Sequence, residues 1–204
     1  MSPSNQSQPR RFAPWRVVDI VVAAVIGVAV GVIFFGWDFV YGPITKPIEA
    51  LLPGAQAILY GVWLVAGVLG GLVIRKPGAA LFVELVAANV EALLGGPWGG
   101  FNTILSGLVQ GLGAELVFAI FMYSSWRLGV AMLAGAASGV AMAIRDVITS
   151  YAASGGVFIA VYFVCSVITG AVIAGLGSWY LVRALARTGV LSRFASGQRN
   201  SVRV

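Results

Sequence analysis

A chain of 204 residues that is 59% hydrophobic and only 10% charged, with a mean hydropathy of +0.95, has too little polar surface to clothe a soluble domain. Its net charge of +6 comes from 13 Lys and Arg against 7 Asp and Glu; the basic residues sit beside the ends of apolar runs and form no basic face, which fits membrane topology and anionic headgroups and excludes nucleic acid as partner. With no His and a single Cys, Cys165, the chain offers no imidazole or thiolate cluster for a metal, no nucleophile–base constellation for an enzyme and no internal disulfide.

Residues 1–14 are rich in Ser, Gln and Pro and are expected to form a disordered cytoplasmic leader, since nothing in them repays the entropy of ordering. They are no cleavable signal peptide, because the run behind them is too long and no small-residue cleavage pattern ends it. Apolar runs follow at 17–36, 55–74, 77–95, 102–122, 128–148 and 157–182. Each is about 19–26 residues, enough to cross ~30 Å of hydrocarbon at ~1.5 Å per residue. The fold class expected is an all-α integral membrane protein: six transmembrane helices in one compact bundle over residues 15–191, with a basic cytoplasmic tail at 192–204.

Charge sets the orientation. With the N-terminus inside, Arg10, Arg11, Arg16, Arg75, Lys76, Arg127, Arg183, Arg187, Arg193, Arg199 and Arg203 are cytoplasmic, leaving only Lys46 and Arg145 outside. That bias predicts that both termini are cytoplasmic. The connection from Trp37 to Gly54 is the longest; it holds Pro43, Pro47 and Pro53 around an amphipathic ITKPIEALL and is expected as an interfacial segment or lid. Arg75-Lys76-Pro77-Gly78 makes a charged cytoplasmic turn. Gly95-Gly96-Pro97-Trp98-Gly99-Gly100 makes an outer turn with two readings, a loop whose backbone approaches a ligand or a plain hairpin with Trp98 anchored at the interface. Ser124 to Arg127 and Ser150 to Gly156 are the remaining links. No internal repeat is evident, as an inverted-repeat carrier would show.

Ionisable groups in hydrocarbon cost at least ~2.5 kcal/mol, so each needs a partner, a proton or a cavity. Glu84 and Glu91 stack on one face of the third helix, ~10 and ~20 Å from its cytoplasmic start; Asn89 lies on another face. The fourth helix carries Asn102, Ser106 and Gln110 at four-residue spacing, then Glu115. Gln110 and Glu115 either tie helices together or meet a ligand. Three carboxylates and no basic residue on these two helices rule out internal salt bridges for all of them, and argue for a cationic or multiply donating ligand entering from outside. Trp37, Tyr41, Tyr60, Trp63 and Trp98 lie in or near the outer half, either as an interfacial belt or to sandwich a flat ring. Arg145 and Asp146 form either a gate or phosphate contact or a local, partly solvated pair. On the first helix Ala23, Gly27 and Gly31 make a small-residue seam, for internal packing or for a partner subunit. Neither a Walker-type nor a dinucleotide-binding glycine pattern occurs, so nucleotide-driven transport would need another subunit.

The strings WRVVDIVVAAVIGVAVGVIFFGW, IRKPGAALFVELVAANVEALLGGPWG and LVQGLGAELVF resemble the membrane-embedded substrate-binding S components of energy-coupling factor (ECF) vitamin transporters, most of all the class for thiamine and its hydroxymethylpyrimidine (HMP) precursor. The resemblance runs from Trp15 to about Leu191. It implies a multi-pass protein of a prokaryotic cell membrane with no enzymatic activity and no cofactor of its own. Its partners would be a transmembrane coupling subunit and two cytosolic ATPases that use ATP, and its helix-one motif, here Ala23, Gly27 and Gly31, would meet the coupling subunit. Carboxylate and aromatic contacts to the vitamin's rings would fall to Glu84, Glu91 and Trp98, with no His available. From outside, thiamine or HMP would then pair with Glu91 and Glu84, take hydrogen bonds from Gln110 and Asn89, and stack on Trp98 or Trp63, with Tyr60 and Glu115 as further candidates. The competing classes are a self-sufficient proton-coupled carrier and a ligand-free membrane scaffold.

Overall fold

The computed structural model describes residues 14–192 and 194–198, and every regular element among them is helical. The leader expected at 1–14 lies outside the described residues except for Pro14, as do Arg193, Arg199 and Arg203 of the tail.

The first helix, α1 (Val17–Leu51), begins at a buried aspartate. Asp19 accepts from the Arg16 guanidinium at 2.8 Å, from the Arg16 main-chain N–H at 2.8 Å and from Lys76, while the Trp15 indole donates to Pro77 O at 3.0 Å. The start of α1 is thereby clamped to the turn at 75–78. At its other end, α1 runs straight through the stretch expected to be a loop from Trp37. Pro43 and Pro47 stand inside the helix. They are four residues apart, so the donor missing at Pro47 is one that would have met the carbonyl of Pro43, and the two defects fall on one face. The Thr45 hydroxyl donates to the carbonyls of Tyr41 and Gly42, both at 3.1 Å. Pro43 and Pro47 are exposed, while Tyr41 and Thr45 pack into the bundle, and that packing overrides the proline signal. The lid reading of 37–54 is corrected accordingly: only Leu52, Pro53 and Gly54 interrupt the helical path.

The chain then winds as a 3₁₀ helix (Ala55–Leu64) that passes directly into α2 (Val65–Ile74). Next come α3 (Ala79–Leu94), α4 (Gly100–Ile120) and α5 (Leu128–Thr149). The last long helix is continuous from α6 (Gly156–Thr169) through a π-wound stretch (Gly170–Gly177) to α7 (Ser178–Arg187). There Gly135 and Gly139 of α5 take the backbone of Gly170 and Ser166 into direct contact, leaving no room for a Cβ. A short α8 (Ala195–Gln198) folds part of the expected tail back on the bundle, where the Ser196 hydroxyl donates to Val73 O at 3.1 Å.

Among the described residues, five segments are long and apolar enough to cross a membrane: Val17–Leu51, Ala55–Ile74, Gly100–Ile120, Leu128–Thr149 and Gly156–Arg187. The sixth run, expected at 77–95, is α3, whose 16 residues reach only ~24 Å. It packs among α1, α2 and α4. The small-residue seam of α1 faces it: a Cβ on Gly27 would lie 2.6 Å from Val86 Cβ, and one on Gly31 would lie 2.6 Å from Ala87 O. Ala23 is likewise fully buried. Ala23, Gly27 and Gly31 thus pack against α3 in this chain. The outward face of α1 carries Val17, Val21, Val25, Val28 and Val32 instead.

Candidate functional site

A cavity of about 130 Å³ lies between α3, the 3₁₀ helix, α4 and α5. Glu84 and Glu91 line it from α3, Tyr60 and Trp63 from the 3₁₀ helix, and Trp98 from the α3–α4 loop. Asn102, Ser106 and Gln110 line it from α4, and Arg145 and Asp146 from α5.

Glu84 is fully buried. Its Oε2 accepts from Gly67 N at 2.5 Å, at the first turn of α2, just where 3₁₀ winding gives way to α; Oε1 has no partner. A Cβ at position 67 would sit 3.1 Å from that Oε2, so the close approach requires glycine. Glu91, two turns further out, accepts from the Trp63 indole at 3.1 Å. Beside it stands Asp38, near the outer part of α1, whose Oδ1 accepts from the Trp98 indole at 2.7 Å. Asp38 and Glu91 both lie against Gly96, and Asp38 Oδ2 is buried without a hydrogen-bond partner. A Cβ on Gly96 would lie 3.2 Å from Asp38 Oδ2 and 3.2 Å from Glu91 Cγ, so the glycine-rich turn is what admits both acids.

The aromatic residues interlock edge to face: Tyr41 with Trp63 at 5.1 Å and with Trp98 at 5.7 Å, Trp63 with Trp98 at 5.6 Å, and Tyr60 with Trp63 at 5.6 Å between centroids. Such pairs contribute about 0.5–1.5 kcal/mol each beyond their buried area. They form a cavity wall rather than an interfacial belt. Tyr60 and Trp63 are three residues apart, and in a 3₁₀ helix such residues eclipse one another, which turns both rings to the same side.

The opposite wall is polar and internally neutral. Arg145 donates to Asp146 Oδ1 at 2.7 Å and to Asn102, tying α5 to α4, and Asp146 Oδ2 accepts from Tyr162 OH at 2.7 Å. The Arg145 and Asp146 side chains are 10% and 16% exposed, so the adjacent residues form a local, partly solvated pair, one of the two readings expected. The Ser138 hydroxyl donates to Gln110 O at 2.6 Å, a second α4–α5 tie.

Six of the eight predicted ligand residues thus line one cavity: Glu84, Glu91, Gln110, Trp98, Trp63 and Tyr60. Two lie elsewhere. Asn89 is exposed on the other side of α3, its amide donating to Leu85 O at 2.7 Å. Glu115 sits at the start of α3, where its carboxylate accepts from Gly78 N at 2.6 Å, Ala80 N at 2.9 Å, Leu81 N at 3.2 Å and Tyr123 OH at 2.7 Å. That is an anion capping the N-terminus of α3, where unpaired N–H groups and the helix dipole favour negative charge. Asp38 was missed because it falls in the stretch taken for a loop; as one of only seven acids and the neighbour of Trp37, it carried a signal. Among the described residues no group of three or more His, Cys, Asp or Glu is placed to hold a metal ion.

An acidic, aromatic-walled cavity inside a bundle of apolar helices defines a membrane transport component rather than an enzyme, and comparison with known proteins narrows the class. Residues 18–141 match the family model for the permease component of an ABC-type cobalt transport system. The chain is 40% identical over 185 residues, 90% of its length and 91% of the relative's, to a Bacillus subtilis (strain 168) protein carrying the name HMP/thiamine permease protein YkoE. It also superposes on a crystal structure of an S component of an ECF transporter with a TM-score of 0.84 and 38% identity, covering 92% of this chain and 94% of that one. The chain belongs to the S components of ECF transporters, of the YkoE type.

Proposed function

We propose that this protein is the substrate-capture subunit of an ATP-driven vitamin importer in a prokaryotic cell membrane, binding thiamine or HMP from the outside. The observation that carries the reading is Glu84: a fully buried carboxylate with one oxygen held by Gly67 and the other unpartnered in the cavity wall. An oxygen so placed costs free energy until a donor reaches it. An aminopyrimidine supplies N–H donors in a flat ring, and the thiazolium of thiamine supplies a positive charge that Glu91 and the faces of Trp63 and Trp98 would favour. Gln110 on the facing helix would orient the ring. The name of the YkoE relative supports the same ligand. Cobalt, which the family model names, has no comparable support, since the cavity brings together no set of imidazole, thiolate or carboxylate ligands of the kind cobalt takes.

In this reading α3 completes six passes, both termini are cytoplasmic, and a transmembrane coupling subunit with two cytosolic ATPases supplies the energy. The test is calorimetric titration of the purified chain with thiamine and with HMP. Saturable binding of either at submicromolar concentration supports capture, and the ratio of the two affinities shows whether the thiazolium is read. A folded sample that binds neither refutes it and leaves the scaffold reading; proton-driven uptake of vitamin into liposomes by this chain alone would establish a self-sufficient carrier instead.

A further inference from the structure

Of the five aromatic residues lining the cavity, Phe34, Tyr60 and Trp63 are buried, Tyr151 is partly buried and Trp98 is 39% exposed, which makes Trp98 the outer wall. Trp98 rides on a turn with left-handed glycines on either side, Gly95 at φ +92° and Gly99 at φ +82°. A Cβ at either glycine would meet nothing within 4 Å, so no side chain packs on the turn at these two points. Its own main chain is tied only locally, by Gly96 N to Glu91 O at 3.1 Å and by the Asn102 amide to Trp98 O at 3.1 Å. The long-range holds on the ring are edge contacts with Tyr41 and Trp63 and one hydrogen bond, from its indole N–H to Asp38. Asp38 comes from α1, a different wall of the bundle, and its second oxygen, buried and without a hydrogen-bond partner, lies with Glu91 against Gly96.

We propose that Asp38 is a positioning residue for ligand retention: it latches the Trp98 ring over the cavity mouth. The proposal rests on the cavity being the ligand site, as proposed above. Asp38 does not itself line the cavity; it acts on a group that does. Its loss therefore acts on release more than on capture, because an unlatched ring leaves the bound ligand uncovered while the open state, through which ligand enters, is unchanged.

The experiment uses the full-length protein in detergent, loaded with radiolabelled thiamine and chased with unlabelled thiamine, comparing wild type, D38A, D38N, W98F and the D38A/W98F double variant. D38A and W98F are each expected to release thiamine about tenfold faster, as loss of a charge-assisted hydrogen bond implies, with little change in association rate. The double variant is expected to release no faster than either single one, since both remove the same bond. D38N retains a neutral oxygen for the indole without the charge, and is expected to release at a rate between those of wild type and D38A. Wild-type release from D38A or W98F would overturn the latch, as would additive effects in the double variant, or a D38N as fast as D38A, which would mean that charge and not the bond matters. Should D38A fail to fold, W98F against D38N still decides. Absence of binding by wild type would sink the proposed function and the latch with it, whereas binding by wild type with unaltered release from the variants sinks the latch alone.

Discussion

Replacing Glu84 with Gln separates the part this residue plays in the fold from the part it plays toward ligand. In the glutamine variant the side-chain oxygen still accepts from Gly67 N, the bond that measures 2.5 Å with the carboxylate, and the amide nitrogen takes the place of the unpartnered Oε1. A donor then faces the donor of the ligand, and a buried charge is gone. The empty protein is therefore expected to melt no lower than wild type, because a buried carboxylate without a cation is itself unfavourable. Thiamine affinity is expected to fall by about 10- to 150-fold, equivalent to ~1.5–3 kcal/mol for a lost charge-assisted hydrogen bond. E84A behaves differently: it leaves the buried Gly67 N–H without an acceptor and costs about 1–3 kcal/mol of stability as well. Calorimetric titration and thermal melting of the two variants side by side give the answer. Binding by E84Q at wild-type affinity would refute the reasoning, and so would an E84Q that melts as low as E84A.

Glu115→Ala removes the acceptor shared by three main-chain N–H groups and a tyrosine, and is expected to lower unfolding stability by about 2 kcal/mol in a melting experiment, with thiamine affinity retained by the folded fraction. Asn89→Ala is expected to leave thiamine affinity unchanged in titration, because its amide is satisfied by its own helix away from the cavity. Gly31→Val drives a side chain into Ala87 O and is expected to destabilise by about 1–3 kcal/mol, while Val28→Ala on the outward face leaves the melting temperature close to wild type.

Most of the helical path was legible because apolar length is a crude and robust signal: the run expected at 55–74 is the segment Ala55–Ile74, and that expected at 128–148 is Leu128–Thr149. Pro43 and Pro47 misled because a local breaker is judged without its neighbours: both stand on the exposed side of α1, while Tyr41 and Thr45 beside them are held in the bundle. For the site, the excess of carboxylates over bases on the third and fourth helices correctly singled out Glu84 and Glu91 as needing an explanation beyond salt bridges. The same count could not separate them from Glu115, whose partners are main-chain N–H groups, invisible to any tally of charged side chains. Nor does helical periodicity tell which neighbour a small-residue seam will meet, so the packing of Gly27 and Gly31 against α3 was not legible in the sequence.

The winding of residues 55–64 has an outcome of its own. At about 2.0 Å per residue a ten-residue 3₁₀ helix reaches about 20 Å, where the same residues in α form would reach only about 15 Å. Relaxing it would shorten that leg by about 5 Å and swing Tyr60 and Trp63 roughly 60° apart, since three residues turn a full circle in one form and about 300° in the other. The ring wall of this cavity is therefore a matter of pitch as much as of residue choice: transplanting a tyrosine and a tryptophan at the same spacing onto an ordinary α-helix would point them at different neighbours.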